Sequence, residues 1–167
     1  FFAHLMGKKA FAIGAVNTHF RNASGLPSND HYSTAYDLAL IGRYLLNNDY
    51  LKSIVATRQT TFQHPGYQKP MIIRNTNLLL TTYSGADGIK TGTTNAAGKC
   101  LVASATRNNR QLIAVSLKSG DRRRDCASLL EYGFTNSRLT KVVDKSLPFK
   151  QLYVAYGRHP SIEVYPA

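Results

Sequence analysis

Lys90-Thr91-Gly92, followed by Thr93 and Thr94, brings a fixed positive charge, three hydroxyls and a residue with no side chain into five consecutive positions. That combination suits recognition of an extended acyl or peptide substrate. Lys90 supplies charge, and Thr91 and Thr93 supply hydroxyl donors for a carboxylate or carbonyl oxygen. Gly92 leaves room for a second backbone to lie against the strand. The approach to this stretch, Ser84-Gly85-Ala86-Asp87-Gly88, is small and turn-prone. On these letters alone, an exposed hairpin strand with a solvated lysine is the simpler reading.

Other chemistry-bearing residues fall into less telling patterns. Arg122-Arg123-Arg124 is the one basic run, and it reads either as an anion contact or as a solvated helix start. His19 and His31 have no serine or cysteine partner at a justifiable spacing, so each reads as a loop histidine held by hydrogen bonds. Asp37 reads as a helix cap and Asp87 as a turn residue. Cys100 and Cys126 form no CxxC, and each reads as a buried free thiol. His, Cys, Asp and Glu show no metal-ligand spacing, and no cofactor is implied.

The elements that must position these residues follow from periodicity. Phe2, Leu5, Met6, Lys9 and Ile13 recur at helical spacing, with Gly14 as the stop. Residues 17–27 are polar and turn-rich. Thr34 (or Ser33) followed by Asp37 marks a helix start of capping-box type, and Leu38, Ile41, Gly42, Leu45 and Leu46 give that helix its apolar stripe. Asn47-Asn48-Asp49 ends it, and residues 51–56 form a further helical turn. Thr60-Thr61-Phe62 and Met71-Ile72-Ile73 read as two strands around His64-Pro65-Gly66.

After the Lys-Thr-Gly stretch, Lys99 to Thr106 and Gln111 to Lys118 read as strands joined by Arg107-Asn108-Asn109-Arg110, because Asn-Asn tolerates the positive φ of a tight hairpin. Asp121 caps a helix running to Tyr132 and ended by Gly133. Val142-Val143, Leu152 to Tyr156 and Ile162-Glu163-Val164 read as strands, with a domain boundary near Asn136.

A chain of 167 residues with 43% hydrophobic and 18% charged residues is an ordinary globular one, large enough for a core. Its net charge of +12 points to an anionic partner: a membrane surface, an acidic wall polymer or a nucleic acid. The charge is scattered, and zinc-finger spacing, RNA-binding aromatics and a long basic helix are all missing, which argues against nucleic acid.

Taken in order, these features resemble a known family. Asn17-Thr18-His19-Phe20 to Gly25-Leu26, His31-Tyr32-Ser33-Thr34-Ala35, Asp37 to Ile41, Asp87 to Thr94, Ala97-Gly98, Leu101 to Thr106 and Tyr132-Gly133-Phe134 are similar to the later part of the serine-type D-Ala-D-Ala carboxypeptidases, low-molecular-mass penicillin-binding proteins of peptidase family S11. The resemblance covers residues 1–135 and implies an α/β (α+β) fold of the β-lactamase/transpeptidase type, an antiparallel sheet flanked by helices. Residues 136–167 resemble the start of the family's β-rich C-terminal domain, here incomplete.

The family acts by acyl transfer to serine, using Ser-x-x-Lys, Ser-x-Asn and Lys-Thr-Gly motifs. The resemblance implies a base-network role for Lys90, substrate carboxylate binding by Thr91, Thr93 and Arg122, and backbone contact at Gly92. It implies stem peptides ending in D-Ala-D-Ala and β-lactams as ligands, and a place outside the cytoplasmic membrane. Neither Ser-x-x-Lys nor Ser-x-Asn occurs in the chain; in the family both lie upstream of the segment that Phe1 begins. The expectation is therefore a fragment with one wall of the site, no nucleophile and exposed core surface, dependent on its upstream part. A class A β-lactamase and a non-catalytic peptidoglycan- or partner-binding remnant are the alternative readings.

Overall fold

The computed structural model describes residues 1–140, 142–144 and 146–166. It divides into two compact units, Phe1–Asn136 and Ser137–Ala167.

The first unit opens with helix α1 (Phe2–Ala12), and the chain turns out of it at Gly14, whose φ of +90° suits glycine. Helix α2 (Ala35–Leu46) starts where the hydroxyl pattern expects, with Thr34 Oγ1 accepting the Asp37 N–H at 3.1 Å. Thr34, not Ser33, is the cap. The Asp37 carboxylate does not close a capping box. It is fully buried, and its Oδ2 accepts from Asn17 N–H and from Thr18 Oγ1, both at 2.7 Å, fastening the 17–18 loop to the helix. Asn48 caps helix α3 (Asp49–Ala56).

Strands β1 (Gln59–Phe62) and β2 (Met71–Arg74) form an antiparallel ribbon on either side of the His64-Pro65-Gly66 turn. A short helix, α4 (Leu79–Thr82), has no counterpart in the sequence reading; two of its four residues, Leu79 and Leu80, are buried.

The central sheet has the order β3-β4-β5, all antiparallel, with β3 at Ala86–Thr94, β4 at Gly98–Arg107 and β5 at Arg110–Ser116. The β4–β5 turn is the expected one, with Asn108 and Asn109 at φ 48° and 60°. Side chains alternate across the sheet. Leu101, Ala103 and Ala105 pack with Cys126 and Leu130 of helix α5 (Arg122–Asn136). On the other face, Val102 and Ile113 approach Gly42 of α2, and Val55 of α3 approaches Gly88.

The structure corrects several expectations here. Asp87 is a strand residue whose carboxylate ties the sheet together, accepting from Ser104 Oγ (2.6 Å), Thr106 Oγ1 (2.5 Å) and Gln111 Nε2 (2.9 Å). Gly133 does not end α5. The helix continues to Asn136, and a Cβ at Gly133 would lie 2.8 Å from Leu112 Cδ1, so the glycine serves close packing against β5. Cys126 is buried as expected, and burial pushes its thiol up to about 11, but Cys100 is only half-buried.

The second unit contains β6 (Lys150–Tyr153) paired antiparallel with β7 (Ser161–Val164). Val142 and Val143 are not in a strand. Val154 to Tyr156 lie beyond β6, in a turn where Tyr156 has φ 61°.

Candidate active site

β3 pairs with β4 alone among the described residues, so no strand covers its other edge. The Lys-Thr-Gly stretch lies on this edge strand, in register with β4 through Lys90–Val102, Thr91–Leu101, Gly92–Cys100 and Thr93–Lys99. Asn77 braces the strand from below. It is almost fully buried, donates from Nδ2 to Gly88 O at 2.7 Å and accepts the Leu79 N–H at 3.2 Å. A donor and an acceptor both satisfied in the interior make such a brace rigid.

The structure brings Thr91, Gly92, Thr93 and Arg122 together. Asp121 Oδ1 accepts the Arg124 N–H at 3.1 Å and so starts α5. Its carboxyl is held below the usual range by that bond and by the neighbouring Arg123. The cap aims Arg122 back at the sheet. Its Nη1 donates to Gly92 O and Thr93 Oγ1, both at 2.8 Å, and reaches Cys100 O at 3.2 Å. Arg122 is therefore not a solvated helix start, whereas Arg123 and Arg124 are exposed.

Thr91 Oγ1 shares a hydrogen bond with Thr76 Oγ1 at 2.5 Å. Thr91, Leu101 and Arg122 line one small pocket together with Thr76, Asn77 and Leu78. Lys90 is exposed, and its Nζ donates to Thr91 O at 2.6 Å. A Cβ placed on Gly92 would meet nothing within 4 Å, so there is open space beside the strand at that point.

Thr76 and Asn77 are the site residues that sequence reasoning missed. The available signal was the polar run Asn75-Thr76-Asn77 set directly before three leucines, a pattern that turns a chain and then buries it. The histidines behave as expected. His19 Nδ1 donates to Asp30 O at 2.5 Å, and His31 Nδ1 accepts the Arg21 N–H at 3.1 Å. Among the described residues no group of three or more His, Cys, Asp or Glu side chains could hold a metal ion.

The first unit is a three-stranded antiparallel sheet with helices on both faces and Lys-Thr-Gly on its edge strand, and solved structures similar to it have the penicillin-binding, transpeptidase-like fold. Residues 1–120 match the model of the D-alanyl-D-alanine carboxypeptidases, peptidase S11, and the chain belongs to that family. It is 31% identical to the D-alanyl-D-alanine carboxypeptidase DacF of Bacillus subtilis, over 98% of this chain and 42% of that protein. It is 37% identical to DacA of Escherichia coli, over 80% of this chain and 33% of that one. Among solved structures, the Streptomyces K15 DD-transpeptidase superposes with a TM-score of 0.75 at 35% identity, covering 80% of this chain and 54% of that one. The DacD carboxypeptidase of Francisella tularensis shares the fold with a TM-score of 0.79 at 24% identity, over 99% of this chain and 53% of that one. The chain thus spans about half, or less, of the length of these proteins.

Proposed function

We propose that this chain forms the Lys-Thr-Gly wall of a serine-type D-alanyl-D-alanine carboxypeptidase, which removes the terminal D-Ala of peptidoglycan pentapeptides through an acyl-enzyme. The observation that carries this reading is the Arg122 guanidinium held on Gly92 O and Thr93 Oγ1 of the edge strand β3. There the substrate's C-terminal carboxylate meets Thr91, Thr93 and Arg122, while its backbone lies in the open space beside Gly92. Lys90 keeps the local potential positive and holds the base network. The Thr93 N–H serves as one half of the oxyanion hole, where a preorganised donor contributes ~3 kcal/mol.

In this reaction a serine Oγ attacks the carbonyl of the penultimate residue, and D-Ala leaves with a proton. Water then hydrolyses the ester and restores the serine. β-Lactams acylate the same serine by opening their ring amide. Because residues 1–167 contain no Ser-x-x-Lys, the nucleophile comes from outside this stretch. In this account residues 1–135 are the later portion of the catalytic domain and residues 136–167 begin a β-rich domain. The protein works outside the cytoplasmic membrane, where a net charge of +12 favours an anionic membrane surface or wall polymer. Among the described residues no helix is long and apolar enough to cross a membrane.

The test is D-Ala release from a pentapeptide by this chain joined to the Ser-x-x-Lys segment of a relative. Release that disappears in Lys90→Ala supports the reading. A folded, joined protein that releases no D-Ala overturns it.

A further inference from the structure

Asn77 and Leu78 have a second side. Behind them lies another cavity, of about 270 Å³, whose lining includes Arg58, Gln59, Arg74 and Thr81. Both arginines belong to the β1–β2 ribbon and its entry: Gln59 pairs with Arg74, and the Asn75 N–H donates to Arg58 O at 2.8 Å, which sets the two backbones side by side at the cavity.

Among the described residues neither guanidinium has a hydrogen-bond or ion-pair partner. Nor can the local sequence supply one, since no carboxylate occurs between Asp49 and Asp87. The neighbouring amides are already engaged. Asn75 Nδ2 donates to Thr57 O at 3.0 Å and Asn77 Nδ2 donates to Gly88 O. The Thr81 hydroxyl donates to Leu78 O at 3.0 Å. The cavity is thus lined by two exposed arginines and Gln59, and by no carboxylate. Two like charges on one cavity repel, and an anion between them removes that cost. A guanidinium pairs bidentately with carboxylate or phosphate, which fixes the class of ligand.

We propose that this cavity is a second anion site, in which Arg58 and Arg74 hold a carboxylate or phosphate group across the Asn77–Leu78 wall from the Thr91–Arg122 pocket. It does not depend on the acyl-transfer reading. Its ligand is an acidic group of a peptide or a phosphoryl group of a polymer.

The experiment titrates the isotope-labelled chain, joined to the Ser-x-x-Lys segment of a relative, with succinate and, separately, with inorganic phosphate at constant ionic strength, following the arginine Nε–H resonances. The Arg58 and Arg74 signals shift saturably with at least one of the two anions. The midpoint rises at least tenfold in the R58Q/R74Q double variant and less in R58K/R74K, which keeps both charges. Backbone amide spectra confirm that each variant is folded, and the single variants R58Q and R74Q each give an intermediate loss. Tighter saturation by succinate assigns a carboxylate source, and tighter saturation by phosphate a phosphoryl one. Shifts that follow ionic strength and are matched by chloride overturn the site. Saturable shifts indifferent to R58Q/R74Q do so equally.

Discussion

Arg122 Nη1 lies 2.8 Å from Thr93 Oγ1 and so ties the first turn of α5 to the edge strand, 29 residues earlier in the chain. The same nitrogen holds Gly92 O. One side chain therefore fixes both the orientation of a threonine hydroxyl and the line of the backbone beside which a substrate would lie.

Replacing Arg122 by Gln weakens binding of a D-Ala-D-Ala peptide by about 2 kcal/mol, or roughly 30-fold, the size of a hydrogen bond to a charged group. Arg122→Lys recovers only part of this, because a single ammonium cannot reproduce the fork. Titration calorimetry on the folded variants measures it. Equal affinity in all three proteins would remove Arg122 from carboxylate recognition.

Asp87→Ala is expected to cost about 2–4 kcal/mol, since it strips an acceptor from Ser104, Thr106 and Gln111 at once and leaves the buried Ser104 hydroxyl unpaired. Urea unfolding checks this, and a loss below 1 kcal/mol would contradict the anchoring role.

Two helix glycines should respond with opposite signs. A Cβ at Gly7 meets nothing within 4 Å, so Gly7→Ala stabilises by about 1 kcal/mol through helix propensity alone. At Gly42 a Cβ would lie 2.9 Å from Ile89 Cδ1 and 3.4 Å from Val102 Cγ1, and overpacking of about 1–3 kcal/mol offsets that gain. Thermal unfolding midpoints of the two variants should move apart.

Cys126 and Cys100 are distinguished by burial. With its thiol raised to about 11 and its side chain packed on Leu101 and Ala114, Cys126 resists alkylation in the folded chain. A shift of two pH units means about 100-fold less thiolate near neutrality. Mass spectrometry after iodoacetamide treatment should find the label on Cys100 first, and on both residues only in denaturant.

The acid limb of stability contains a contribution from Glu131. The Tyr83 hydroxyl and then Arg107, in contact at 2.9 Å each, hold its carboxyl below the ordinary value. A lowered carboxyl contributes stability that is present above the unfolded-state value and is lost as pH falls through the folded one. Tyr83 carries the opposite sign. Burial first, and then the bond to Glu131, raise its hydroxyl, so its contribution is present below about pH 10 and is lost as pH rises through the raised value. Urea midpoints between about pH 5 and 3 should fall less steeply in Glu131→Gln than in the parent chain.

Local chemistry was legible in the sequence wherever the partners are near in the chain. The Thr34 cap, the Asn108-Asn109 turn and the Lys-Thr-Gly strand all depend on neighbours within a few positions. The parts that were not legible depend on distant ones. Asp87 is an anchor because its donors come from β4 and β5, and Gly133, inside a helix that runs on to Asn136, packs close to Leu112 of β5. Thr76 joins the site through a hydroxyl 15 positions away. That Arg58 and Arg74 line one cavity likewise depends on tertiary packing, which composition does not encode.

The most direct measurement is covalent labelling by a fluorescent penicillin, applied to this chain alone and to the chain joined to a segment carrying Ser-x-x-Lys. Label is expected on the joined protein only, and is lost with Lys90→Ala. No label on a folded joined protein, or label on the chain alone, would contradict this expectation.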